Sequence, residues 1–274
     1  MTGTLYVVAT PIGNLEDITL RAIRTLREVN CVACEDTRIS RQLLEHFGIQ
    51  KPLISYYFPR ERDKMKAILD RLLDGQSVAL ITDSGTPGIS DPGGLLVAEA
   101  HSKGIRVEPI PGPCSATAAL SAAGFDDDGY YFAGFLPDSR GKRKEALLRL
   151  AVMPVPVLIF AAPHDVRFLI QEALQFFGDR PVLLARELTK KFEEVKRTTL
   201  AALLDGLPES PRGEFVIVIA PGSVPDNAGE RTLQQRYQDL LAQGCTRSQA
   251  VKRLSQEHSL TKRRIAELLG AHGD

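Results

Sequence analysis

Along the 274-residue chain the spacing of apolar positions switches repeatedly between two periods. Short, strongly apolar runs at 5–9, 29–34, 53–56, 78–82 and 105–109 predict strands, and the segments between them place apolar residues at the three-to-four spacing of a helix. One helix is expected over 19–28 behind Asp17 as its cap, with Leu20, Ile23 and Leu26 tracing a face. Others are expected over 37–47, over 61–74 burying Ile68, Leu69, Leu72 and Leu73, and over 94–103, each stopped by a glycine. This alternation predicts βαβ units and a mostly parallel sheet with helices on its faces. A small-residue helix at 114–123 and the acidic turn 126–129 mark a boundary, beyond which strand and helix alternate again from 130 to 220.

The Pro- and Gly-rich stretch 221–229 lacks periodicity and reads as a linker, and everything after it reads as helical. The expected domains are therefore 1–124 and 125–222, both α/β, and a helical tail, 230–274. Thr246 can cap a helix containing Ala250, Val251 and Leu254, and Thr261 a second with Ile265, Leu268 and Leu269, the plan of a helix-turn-helix.

Composition narrows the class. The chain is 43% hydrophobic with 34 basic and 34 acidic residues, which excludes a disordered tail or a collagen and gives no net attraction to nucleic acid. The charge is nevertheless sorted: residues 230–274 hold eight basic and five acidic groups, +3, against −3 for the rest. Lys262, Arg263 and Arg264 open the second tail helix, where a recognition helix meets phosphates; a tail that only packs or dimerises remains the alternative. The longest apolar run, 155–162, is broken by Pro156 and far short of the roughly 20 residues that cross a bilayer. The start of the chain has no basic or apolar leader pattern, so a cytoplasmic location is expected.

Four cysteines are too few and too scattered for a disulfide framework. Cys31 and Cys34 fall in a buried strand, where their odd spacing points the sulfurs to opposite faces; no second pair completes a metal site, and none is expected. No GxGxxG follows the first strand. The segment from Gly134 to Lys142 imitates a phosphate loop with the wrong spacing and with Arg143 where Ser or Thr would hold magnesium, and Ser84 lacks the glycine of a nucleophile elbow.

What remains are three unusual loops at strand ends, residues 10–15, 82–93 and 110–117, all expected at one edge of the sheet. Bare backbone converging there suits a flat polar ligand. These motifs, TPIGNLEDIT, EDTR at 35–38, TDSGTPGISDPG, PGPCSATAALSAAG, GFLP at 134–137 and ARELTKKFEE at 185–194, resemble the tetrapyrrole methylase superfamily. Within it they most resemble the ribosomal small-subunit RNA 2′-O-methyltransferase I family, over residues 3–222 and again in the tail.

The resemblance implies two α/β domains, S-adenosylmethionine in the cleft between them, a homodimer, and a small-subunit ribosomal RNA substrate methylated on a cytidine ribose. It places the adenosyl group on Pro11, Ile12, Gly13, Asp83, Ser84, Gly85, Ser115 and Ala116, with Ala161, Ala162, Gly213 and Glu214 from the second domain. A weakly acidic ribose hydroxyl calls for a proton acceptor, with Glu35, Asp36 and Glu187 as candidates, and Arg38, Arg186 and Lys190 would meet phosphates. The sequence departs from the family where a His-Arg pair is common after the strand near Phe160: here stand Ala161-Ala162-Pro163-His164-Asp165, with Arg167 beyond, so a basic contact is lost or moved. Ser84 also stands where alanine is common. A corrin or siroheme methyltransferase of the same superfamily, and an RNA-binding regulator without activity, remain the competing readings.

Overall fold

A computed structural model describes residues 2–57, 61–125, 129–222 and 228–257, with 265 and 269. Met1–Pro221 form one compact unit and Gly222–Asp274 a second. The first unit contains two five-stranded sheets.

Sheet one comprises β1 (Thr4–Val8), β2 (Cys31–Cys34), β3 (Leu53–Ser55), β4 (Val78–Ile81) and β5 (Arg106–Ile110) in the order β3-β2-β4-β1-β5. Every neighbouring pair is parallel. The central strands are apolar without interruption because helices cover both faces. Helices α1 (Leu20–Glu28) and α2 (Thr37–His46) pack on one, with Ala22, Leu26 and Leu44 against Val8, Val32 and Ile81. Helices α3 (Glu61–Leu73) and α4 (Gly94–Ser102) pack on the other, with Ile68, Leu72 and Leu96 against Leu5, Val78 and Leu80. Cys31 belongs to the second core and Cys34 to the first, both free and buried, and burial raises both thiol pKa values.

Two local expectations are corrected. Thr19, not Asp17, caps α1: its hydroxyl accepts from the Ala22 amide at 3.1 Å, because Asp17 is used in a preceding 3-10 turn, Leu15–Asp17. Leu20 is consequently 86% exposed and the buried face runs through Ala22, Thr25 and Leu26, while Leu73 at the end of α3 also stays exposed.

Sheet two comprises β6 (Tyr131–Phe135), β7 (Val157–Ala161), β8 (Pro181–Arg186), β9 (Glu194–Thr199) and β10 (Phe215–Ile219) in the order β6-β7-β10-β8-β9. The alternation of strand and helix expected here is present, but the sheet is mixed. Only β6 and β7 run parallel; β10 is antiparallel to β7 and β8, and β9 to β8. Strand β9, unpredicted, is an edge strand reading Glu-Val-Lys-Arg-Thr-Thr, whose exposed charges carry no apolar alternation and guard the open edge.

Helix α5 (Ser115–Ala123) follows β5 yet packs on sheet two, laying Ala116, Ala119 and Ala123 against Leu158, Leu183 and Val216. Its packing thus crosses the expected boundary at 124. Helices α6 (Arg140–Ala151), α7 (Val166–Phe177) and α8 (Leu200–Gly206) cover the opposite face. Between α6 and α7, Arg143 is nearly sealed from solvent and donates to Glu172 at 2.6 Å and Asp165 at 2.8 Å, with Phe168 beneath its guanidinium.

In the second unit, α9 (Ala228–Ala242) and α10 (Arg247–Glu257) pack through Leu233, Leu240, Ala250 and Leu254, with Ile265. Thr246 caps α10 as expected: its amide donates to Gln249 Oε1 at 2.9 Å and its hydroxyl accepts from the Gln249 amide at 3.3 Å. Thr261, Lys262, Arg263, Arg264 and Leu268 lie outside the described residues, as does the turn at 126–128. Among the described residues no helix is long and apolar enough to cross a membrane, and no three potential metal ligands cluster.

Candidate active site

Because sheet one is parallel and its order places β4, β1 and β5 side by side, the loops after these strands leave at one edge and touch. Thr10 and Gly85 exchange backbone hydrogen bonds of 2.8 and 3.1 Å, and the Thr10 hydroxyl donates to the Thr82 carbonyl at 3.1 Å. The Thr86 hydroxyl ties the second loop to the third by donating to the Pro113 carbonyl at 3.0 Å. Gly85 holds φ +81°, a left-handed conformation that costs a residue with a Cβ energy, which is why a glycine stands at this crossing.

Sheet two presents a matching edge by a different route. β6 and β7 end there, β8 ends there, and β10, being antiparallel, begins there: Phe215 pairs with both Ala161 and Arg186. The two edges enclose a cleft of about 370 Å³. Ile12, Ser84, Gly85 and Ser115 form its floor from the first sheet; Ala161, Ala162 and Glu214 face them from the second. Phe135, Phe160 and Leu188 supply an apolar wall, and Asp91 an acid, that sequence reasoning did not single out. Asp91 was visible inside the ISDPG motif. The aromatics stand at the ends of β6 and β7, but only the mixed topology reveals which strand ends matter.

Two further cavities adjoin. One, of about 400 Å³, takes Pro11, Gly13, Asp83 and Lys190, and shares Ile12, Ser84 and Glu214 with the cleft. The other, of about 370 Å³ and open to solvent, is lined by Glu35, Asp36, Arg38 and Asp83. Asp83 therefore borders both, and Asp83 Oδ1 accepts from the Asp36 amide at 3.0 Å. Five residues expected to hold the adenosyl group do not line the cleft: Pro11, Gly13 and Asp83 line the adjoining cavity instead, Ala116 is buried in the α5 core, and Gly213 backs onto the Glu187 side chain. Gly13 serves packing, since a Cβ there would meet Lys190 Cγ at 2.4 Å and the Leu188 carbonyl at 3.2 Å.

The carboxylates differ in chemistry. Hydrogen bonds from Arg38, whose Nη2 lies 2.6 Å from Asp36 Oδ2, hold the Asp36 pKa down at about 2. The Glu214 amide, donating to Glu187 Oε1 at 2.9 Å, and Lys190 at 3.1 Å lower the Glu187 pKa. Both are poor bases, and Glu187, at φ +48°, is a bracket that fixes its loop. Burial, then the neighbouring charges of Asp83 and Asp36, raises Glu35; burial, then Asp36, raises Asp83. Burial, then Glu35, Asp83 and Glu214, pushes Asp91 up to about 6.

The cationic candidates are largely committed. Lys190 bridges Glu187 and Glu214; Arg186 donates to the Arg212 carbonyl at 2.6 Å and pairs with Glu194. Arg38 remains exposed around its contact with Asp36. Arg167 does not stand in for the missing pair: it donates to the Leu207 carbonyl at 2.8 Å and closes the end of α8. Asp165 is engaged by Arg143.

Two sheet edges thus build one cleft, floored by backbone and small side chains and walled by aromatic ones. The model of the Tetrapyrrole (Corrin/Porphyrin) Methylases matches residues 4–204. Solved structures share the fold: a uroporphyrin-III C-methyl transferase from Thermus thermophilus, complexed with S-adenyl homocysteine, at TM-score 0.57 and 21% identity, covering 79% of this chain and 97% of that one. A diphthine synthase gives TM-score 0.59 and 17% identity, over 79% and 89%. Curated relatives are much nearer. The ribosomal RNA small subunit methyltransferase I of Synechocystis is 41% identical over 97% of both chains, and that of Pseudomonas aeruginosa 45% identical over 84% of this chain and 83% of its own. The chain belongs to the tetrapyrrole methylase family and, within it, to the ribosomal RNA small subunit methyltransferase I family. It is a methyltransferase.

Proposed function

We propose that the protein transfers a methyl group from S-adenosylmethionine to the 2′ oxygen of a cytidine ribose in small-subunit ribosomal RNA, acting in the cytoplasm as a homodimer. The observation that carries this reading is the cleft between the two sheets, whose size and bare floor suit the donor, together with a neighbouring cavity for an acceptor. Ala161, Ala162, Gly85 and Ser115 fit an adenosyl group because larger side chains would occupy its space, and the Phe160 and Leu188 wall excludes water.

The donor supplies a methyl on sulfonium: the carbon–sulfur bond breaks with its electron pair left on sulfur as the carbon–oxygen bond forms. The chain's part is to align and to receive a proton. Alignment by the linked loops supplies part of the roughly 7–11 kcal/mol that orientation can contribute. Of the carboxylates, Glu35 and Asp83 suit the ribose proton best, since burial and neighbouring carboxylates raise both pKa values and make them better bases than Asp36 or Glu187. Arg38 is placed to meet a phosphate.

The test is incubation of the protein and labelled donor with small ribosomal subunits from cells lacking this methylation. Label should enter the RNA, survive in a nucleoside of methylated cytidine, and protect one backbone position from alkaline cleavage, as a 2′-O-methyl does. Label incorporated into tetrapyrroles in place of RNA would overturn the proposal.

A further inference from the structure

The cavity of about 400 Å³ beside the donor cleft has a construction of its own. One wall is the loop after β1, presenting Pro11, Ile12 and Leu15; the other is helix α2. Along α2, Ile39, Gln42, Leu43 and His46 are spaced by three, one and three residues and so form one stripe. The core side of the same helix is accounted for by Leu44, buried against sheet one, while Ser40 lies at the base of the groove. The stripe is not a core face: Ile39 is 45% exposed and, across the groove, Leu15 is 40% exposed.

Apolar groups held on two facing walls, with one amide and one imidazole among them, match a ligand having flat apolar faces and polar edges. A nucleobase has that chemistry, and stacking tolerant walls with a few edge contacts is how single-stranded bases are held. The position adds a second argument. Ile12, Ser84 and Glu214 border this groove and the donor cleft alike, so an occupant of one meets an occupant of the other at that threshold. In-line transfer requires such a meeting. Asp83 borders the groove and accounts for the proton at the same place.

We infer that the groove between the 11–15 loop and α2 is the seat of the target nucleotide, drawn out of its RNA strand, with its ribose at the Ser84–Glu214 threshold. The inference rests on the proposed ribose methylation and adds where the acceptor binds. It also divides residues that sequence grouped together: Pro11, Gly13 and Asp83 belong to the acceptor side, while Gly85, Ser115, Ala161 and Ala162 belong to the donor side.

The experiment compares full-length wild type with Ile39→Glu, Gln42→Ala, the conservative Ile39→Leu, and Phe160→Ala from the donor wall. For each, KM and kcat for unmethylated small subunits, donor affinity by calorimetry, and mass in solution by sedimentation are measured. Ile39→Glu and Gln42→Ala should raise the subunit KM at least tenfold with donor affinity and mass unchanged, Ile39→Leu should raise it far less than Ile39→Glu because an apolar wall is kept, and Phe160→Ala should weaken donor binding with little change in subunit KM. An unchanged KM in both groove variants overturns the inference. So does a matching loss of donor affinity, which would make the groove part of the donor site, or a halved mass, which would make it the seat of a second copy. Wild-type protein that binds donor but methylates no subunit would instead remove the ribose reading, and the inference with it.

Discussion

The two sheets have the same number of strands and deliver residues to the same cleft, yet they do so by opposite means. In sheet one every strand points the same way, so the ends of β4, β1 and β5 are neighbours by construction and their loops interlock through Thr10, Gly85 and Thr86. In sheet two, β10 runs against its neighbours, so that a strand start, Glu214 and Phe215, joins the strand ends at Ala161 and Leu188. The contrast extends to charge. On the first side the carboxylates Glu35 and Asp83 stand half-buried near one another with raised pKa values; on the second, Glu187, Glu214 and Lys190 neutralise each other in a bracket. A parallel edge concentrates chemistry, and the mixed edge supplies a wall.

That division is open to direct attack. The largest effect is expected from Glu35→Gln and Asp83→Asn, isosteric changes that remove a proton acceptor: kcat should fall by about 10²–10⁴-fold with donor affinity retained. Glu187→Gln, which still accepts from the Glu214 amide, should cost less than about tenfold, a difference that single-turnover methylation would read. Comparable losses in all three would erase the distinction between chemical edge and wall.

Gly85→Val comes next. Its positive φ and its bridge to Thr10 lie at the crossing of two loops, so strain of about 1–3 kcal/mol should shift the floor of the cleft. Calorimetry should find donor binding weakened about ten- to a hundredfold; unchanged affinity would move the donor away from this floor. On the other side, Arg143→Met should lower stability by about 3 kcal/mol, because Asp165 and Glu172 lose their shared partner between α6 and α7, and thermal melting should show it while kcat of the folded protein holds.

The smallest effect concerns Asp91. Its folded-state pKa of about 6 lies above the ordinary 3.8, so its contribution to stability is present in full below about pH 4 and is lost as pH rises through 6. Asp91→Asn should therefore gain on the wild type in melting temperature between pH 4 and pH 7, by a few degrees at most, and a difference that is flat with pH would show that the cleft does not burden this carboxylate. Filling the cleft with donor should alter the same profile, since Asp91 lines it.

The sequence by itself determined the parallel sheet, because strands buried on both faces must be apolar throughout and their crossovers must be helices of legible period. It determined the three loops as well, since glycine and proline at strand ends are local chemistry, and it placed Cys31 and Cys34 on opposite faces from their spacing alone. The Thr246 cap was legible for the same reason. Only the tertiary structure decided what depends on partners distant along the chain. Strand β9 hides because an exposed edge needs no apolar alternation, and the direction of β10 is fixed by its hydrogen bonds to β7 and β8, which no local pattern records. Helix α5 could have served either sheet; its alanines lie on the second because that face lacked cover. The same holds within the site. Glu35, Asp36 and Glu187 are three carboxylates beside strand ends in the sequence, and what separates them is which one meets Arg38, which meets Lys190 and an amide, and which is left half-buried beside the charge of Asp83.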